Sequence, residues 1–248
     1  MDDLLQRLRD LDPRGAADAL ADLADPAIAQ ILSRLNPGQA VEVLEEFPAD
    51  RRQRIAAADS AGEQWLRDQG YAEGSVGRLM EKPLAVFPRT TLIRDAVEAL
   101  RGMVRQTLVT YLWVVDEGHR LAGVVAFREL LYADDGQTLA DVMVSSPFFL
   151  TAEMGLIDAM HAVVTRHYPV YPVCNSDRHL IGVVRGSVLF EQQTFEISAQ
   201  AGSMVGVEKE ERIATPWQRA LKFRHPWLQL NLFTAFIAAA VVGLFQDT

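Results

Sequence analysis

Carboxylates are the residues of this chain whose spacing most plainly invites chemistry. Glu42, Glu45 and Glu46, with Asp50 a turn later, crowd one short stretch. Such groups repel one another, and a cation held between them relieves that repulsion. A solvated helix face is the bland alternative for the same pattern. Nucleophilic and zinc chemistry find no comparable foothold. His119, His161, His167, His179 and His225 are scattered, with no His-Glu-x-x-His spacing. Cys174 is the single cysteine, which permits no internal disulfide and fits a reducing cytoplasm. No serine lies in a nucleophile elbow. The expectation is a protein that is not an enzyme.

The charge balance narrows the partners. Of the net charge of −9, the stretch from Lys209 onward carries five Lys and Arg against three Asp and Glu. The rest of the chain is therefore strongly acidic, which argues against a nucleic-acid partner and is compatible with cations. Residues 1–30 lack the apolar run of a secretory signal.

The carboxylates must be positioned by short helices. Leu4, Leu5, Leu8 and Leu11 form one helical stripe. Ala16, Ala19, Leu20 and Leu23 form a second, and Ile28, Ile31, Leu32 and Leu35 a third. Asn36-Pro37 reads as an N-cap followed by an N1 proline, opening a helix with Val41, Val43, Leu44 and Phe47. Pro48 opens another. Starts at such regular intervals predict a small helical solenoid over residues 1–70.

Residues 71–190 hold an internal duplication. Met80 matches Met143, and the Leu121-Ala122-Gly123-Val124-Val125 run matches Leu180-Ile181-Gly182-Val183-Val184. Each copy, 71–136 and 137–190, reads as strand, helix, strand, turn, strand, helix. The predicted strands are 112–115 with 122–126, and 170–173 with 181–184. Turns are expected at Asp116–His119 and Asn175–Arg178.

Beyond a linker over 191–225, the stretch from Pro226 to Gln246 has no charged side chain. About 20 apolar residues at ~1.5 Å rise cross a bilayer core of roughly 30 Å. Residues 226–248 are therefore expected to form a transmembrane helix. Arg212, Arg219, Lys222 and Arg224 crowd its N-terminal side, which the positive-inside rule places in the cytoplasm. Gln229, Asn231 and Thr234 within it favour contact with other helices. Trp217, Leu221 and Phe223 beside Lys222 and Arg224 suit a membrane-surface linker helix.

Two tandem β-α-β-β-α copies resemble a CBS-domain pair. The order of parts, with SVGRLM, WVVDEGHRLAGVVAFRELL and HPWLQLNLFTAFIAAAVVGLF, resembles the MgtE-type magnesium transporters. The implied fold is α+β: an N-terminal α-helical superhelical domain, a tandem CBS pair, a linker helix and one C-terminal transmembrane helix. The resemblance implies a homodimer in the bacterial inner membrane, with residues 1–225 cytoplasmic. It also implies that Mg²⁺ between acidic domain faces closes a pore. Further membrane helices belong to that pattern, so the chain is expected to be truncated at Thr248 and to need the remaining membrane domain or a membrane subunit. On that resemblance the candidate Mg²⁺ ligands are Glu42, Glu45, Glu46, Glu73, Asp134, Asp135, Glu191 and Glu196. The chain departs from the family at Gly74-Ser75 and at Gly186-Ser187-Val188-Leu189, where acidic residues are usual.

CBS pairs often bind adenine nucleotides, ATP among them, through Gly-h-h-Thr/Ser-x-x-Asp. Here the matching positions run from Gly123 to Glu129, with Ala126 in place of the hydroxyl. In the second copy they run from Gly182 to Val188, with Arg185 in that place. The candidate nucleotide contacts are Gly123, Glu129 and Gly182. The alternative reading is a membrane-tethered CBS module that senses a nucleotide and controls a separate partner.

Overall fold

Prolines and polar caps set where the helices begin. The structure, a computed structural model, describes residues 2–105, 107–191, 225–226 and 228–239. By packing the chain divides into two units, residues 1–23 with 194–248, and residues 24–193.

In the first unit, α1 (Asp2–Asp10) buries Leu5 and Leu8. Asp12 caps α2 (Pro13–Leu20), its Oδ1 accepting from the Gly15 amide at 3.2 Å. Residues 228–239 are helical, and Leu228, Leu230, Leu232, Phe233, Phe236 and Ile237 are exposed. Among the described residues no helix is long and apolar enough to cross a membrane. Of the expected linker over 191–225, residues 192–224, Glu196 among them, lie outside the described residues, as do residues 240–248.

The second unit opens with four helices: α3 (Asp25–Leu32), α4 (Pro37–Glu45), α5 (Ala49–Ala57) and α6 (Gly62–Asp68). Asn36 caps α4 through the Gly38 amide at 3.1 Å, as the Asn-Pro pair predicts. Helices of two turns do not persist alone, so their packed faces must hold them. Ile28, Leu32, Val41, Leu44 and Ile55 are fully buried. Asp25 accepts from Nε of Arg51 at 3.0 Å and of Arg54 at 2.9 Å, tying α3 to α5. Those two guanidiniums, Arg54 foremost, hold its carboxyl below the usual range. Periodicity gave no sign of α6, whose apolar content is little more than Trp65 and Leu66. It forms because Gly62 lets its first turn sit against the Ala56 carbonyl, where a Cβ would overlap.

The duplicated region forms two small sheets. In the first, β1 (Val86–Pro88) lies parallel to β2 (Tyr111–Val115), and β2 is antiparallel to β3 (Leu121–Ala126). In the second, β5 (Leu150–Thr151) lies parallel to β6 (Val170–Cys174), which is antiparallel to β7 (Leu180–Arg185). The crossover helices are α7 (Ile93–Met103) and α9 (Leu156–Val163), and the short α8 (Leu139–Val142) opens the second copy. The predicted hairpin turns are built alike. Asp116 Oδ1 accepts from the amides of Gly118 and Arg120, and Asn175 Oδ1 from those of Asp177 and His179.

The copies are not self-contained. β4 (Val144–Ser145), which follows Met143, pairs with β3 of the first copy. Glu81, which follows Met80, exchanges both backbone hydrogen bonds with Val183 of the second copy, at 2.8 and 3.0 Å. Met80 then lies over Gly182, and Met143 over Gly123. Trp113 and Leu121 of the first copy share a core with Cys174 and Val183 of the second.

Candidate functional site

The site begins with a 3-10 turn, Val76–Leu79, at the entry to the first copy. Its backbone belongs to the second copy's body. The Val76 amide donates to the Met154 carbonyl at 2.9 Å and the Gly77 amide to the Ala152 carbonyl at 2.8 Å. Leu79 and Met80 are buried in the second copy's core. Arg78, between them, is thereby fixed in place and aimed at the helices.

α4 meets this turn at close range. A Cβ at Gly38 would stand 2.7 Å from Leu79 Cδ2, so glycine is what permits the approach. Asn36 works twice: Oδ1 caps α4, and Nδ2 donates to Glu191 Oε2 at 3.1 Å. At the other end of α4, Arg78 Nη1 donates to Glu45 Oε1 at 2.6 Å. The Arg78 side chain is 11% exposed and that of Glu45 30%. The pair is thus largely removed from water, where its attraction is stronger than at the surface.

Behind Arg78 lies a buried polar layer. Asp68, at the end of α6, is fully buried. Its Oδ1 accepts from Gln64 Nε2 at 2.7 Å, and its Oδ2 has no hydrogen-bond partner. Burial pushes this carboxyl up to about 7, against the lowering pull of the Gln64 hydrogen bond and of the Arg67 and Arg78 charges. Arg52 closes the end of α4, donating from Nη2 to the carbonyls of Glu45 and Phe47, each at 3.2 Å.

Between turn and helix runs a narrow cleft lined by Gly38, Glu42, Glu73, Gly74, Ser75 and Arg78. It has room for about one or two waters. Two of the expected carboxylates, Glu42 and Glu73, therefore share a site. Glu45 is engaged by Arg78, and Glu191 by Asn36. Glu46 is exposed beyond the last turn of α4. Asp134 and Asp135 occupy an exposed loop ahead of α8, apart from the residues of the cleft. Among the described residues no group of three or more His, Cys, Asp or Glu side chains is arranged to hold a metal. Mg²⁺ commonly keeps several waters and takes one or two carboxylates. Glu42 and Glu73 bring two carboxylates to the cleft, and they do not form a closed cage.

The candidate nucleotide positions are engaged otherwise. Gly123 and Gly182 are required by the methionines packed on them. Glu129 accepts from Arg128 Nε at 3.1 Å. Arg185, at the hydroxyl position of the second copy, donates to Glu81 at 2.7 Å. Sequence reasoning missed Arg78, Asn36 and Asp68 as site residues. Arg78 was visible inside SVGRLM, but nothing local marks it as the partner of an acid 33 residues earlier.

Comparison with known proteins agrees with this architecture. The CBS domain family matches residues 76–136 and 139–187. The magnesium transporter MgtE of Enterococcus faecalis is 24% identical over 178 residues, 71% of this chain and 39% of that protein. MgtE of Bacillus subtilis is 23% identical over 194 residues, 78% of this chain and 43% of that protein. The chain thus spans about two fifths of the length of these relatives. The solved cytosolic domain of the Mg²⁺ channel MgtE in complex with ATP superposes with a TM-score of 0.65 at 22% identity, covering 76% of this chain and 78% of that one. The soluble part of a magnesium transporter superposes at 0.62 with 20% identity, covering 75% and 79%. Residues 76–136 and 139–187 are CBS domains, and together with the helices ahead of them they form an MgtE-type cytosolic region.

Proposed function

We propose that this chain is the regulatory front of an MgtE-like magnesium transporter, and that Mg²⁺ in the cleft between α4 and the Val76–Leu79 turn signals closure of a pore. The observation that carries this reading is the meeting of Glu42 and Glu73 in one cleft between helices and CBS pair. Without a cation the two carboxylates push the faces apart. With a hydrated Mg²⁺ between them, the closed arrangement gains free energy that the open one does not. The relatives' name supplies the ion, since each is a magnesium transporter.

The same reading places residues 226–248 in a membrane as the first helix of the transport domain, with residues 1–225 on the cytoplasmic side of a bacterial inner membrane. The uncharged sequence and the exposed apolar side chains of residues 228–239 support it. It takes the domains as 1–70, 71–190, 191–225 and 226–248, and the working form as a homodimer joined to the remaining membrane domain. Conduction belongs to that domain, and this chain has no enzymatic role.

Calorimetric titration of the full chain with MgCl₂ tests the reading. Wild type is expected to give saturable heat, and the Glu42→Gln/Glu73→Gln variant to lose most of it. Absence of heat with wild type defeats the proposal. Heat with ATP alone would favour the nucleotide-sensing module instead, for which the fold shared with an ATP-bound neighbour is the support.

A further inference from the structure

We infer that the ion pair between Arg185 and Glu81 closes the second copy's nucleotide position, so that this chain takes no ATP there. The inference goes beyond the Mg²⁺ reading and does not depend on it, since neither residue lines the cleft.

An adenine nucleotide is the ligand that a CBS pair implies, and its recognition asks two things of the protein. The phosphates need donors or cations free to turn toward them, and the ribose hydroxyls need an acceptor, for which a carboxylate serves well. The second copy supplies neither. At the hydroxyl position of the motif stands Arg185, and its guanidinium is already engaged. Nε donates to Glu81 Oε1 at 2.7 Å, and Nη2 lies 2.5 Å from the same oxygen. At the acid position stands Val188, buried beside Val184 and Leu189 in the second copy's core. Its side chain has no polar atom, and a ribose set against it would keep its hydroxyls unpaired.

The backbone makes the closure lasting. The Glu81 amide and carbonyl both bond to Val183, so strand pairing fixes where its carboxylate stands. The pair is partly exposed, Arg185 by 54% and Glu81 by 34%, and adds little to stability. Its effect is to place charge. A triphosphate reaching for Arg185 meets a carboxylate anchored beside it, and the two anions repel. The first copy lacks this arrangement. Ala126 stands where Arg185 does, and Glu129, at the acid position, is exposed. The two copies have therefore diverged at the same place in the motif, and a nucleotide sensor in this chain would have only the first copy to use.

Two measurements on the full chain test the inference. Photolabelling with azido-ATP, followed by peptide mapping, is expected to give no label on β6, β7 or the stretch around Glu81 that excess ATP removes. Such a label overturns the inference. Calorimetric titration with inorganic tripolyphosphate in EDTA reads the ion pair itself. Glu81→Ala keeps the backbone bonds to Val183 and frees Arg185. It is expected to bind tripolyphosphate about tenfold more tightly than wild type, and Glu81→Ala/Arg185→Ala to lose that gain. Equal affinities of wild type and Glu81→Ala overturn the inference, and so does a gain that survives the removal of Arg185. Neither measurement bears on the MgCl₂ titration, so the two readings fail separately.

Discussion

Arg78 reaches Glu45 across 2.6 Å, joining a turn built into the CBS pair to the last residue of α4. The pair spans 33 positions of sequence and is mostly shielded from water. Its weight comes from that shielding, because an exposed pair of the same length contributes little. It also explains why the acidic run on α4 is more than a solvated face: one member is an anchor and another, Glu42, faces the cleft.

Arg78→Ala should destabilise the second unit by about 1–3 kcal/mol, since it leaves a half-buried carboxylate without its cation. Glu45→Gln should cost less, about 1 kcal/mol, because the amide oxygen still accepts. The double variant should fall short of the sum, as expected of partners in contact. Urea unfolding followed through the buried Trp65 measures all three.

Gly182→Ala should cost about 1–3 kcal/mol by overpacking. Its Cβ would stand 2.6 Å from Met80 Sδ and 3.0 Å from Met80 Cβ, and the latter cannot swing away. Truncation of the sulfur by Met80→Ala should relieve part of this, so the double variant should melt higher than the additive expectation. Additive melting temperatures would show that Met80 is not the obstacle.

The Asp68 carboxyl makes stability depend on pH. Its folded value is about 7 and its ordinary value 3.8, so the folded state holds the proton more tightly. The stabilisation is fully present below 3.8, falls as pH rises, and is gone once pH passes about 7. The slope in that window is at most about 1.4 kcal/mol per pH unit. Asp68→Asn should remove this component and melt higher than wild type at pH 8, because no buried charge forms. Parallel wild-type and variant curves from pH 4 to pH 8 would refute the assignment.

Cys174 should be inert in the folded chain. It is fully buried between the two sheets, and burial pushes its thiol up to about 12. A thiol-reactive dye should label it in denaturant and leave it unmodified in buffer. Fast labelling of the native chain would mean that the shared core opens readily.

Local elements were legible because their causes are local. Asn36-Pro37 announced the start of α4, and the Asp116 and Asn175 turns announced their hairpins, since each is made by a side chain bonding to amides a few residues on. The duplication was legible from Gly123 and Gly182, although their reason was not. Each is the flat seat of a methionine from the other copy. α6 escaped notice because its short sequence carries little apolar periodicity and its place depends on the Ala56 carbonyl. Of the expected carboxylates in the described residues, composition could name them all but could not sort them, because convergence is a matter of packing.

By itself the sequence determined the helix starts, the two hairpins, the repeat, the acidic balance and the uncharged stretch after Pro226. Each follows from side-chain type acting over a turn or two of chain. Tertiary structure alone decided that Met80 and Met143 each cover the opposite copy, that Glu42 and Glu73 share a cleft, and that Arg78 answers Glu45. Those outcomes depend on which faces are excluded from water together. Burial changes the strength of every charge within them, and no stretch of sequence carries that information until the chain has packed.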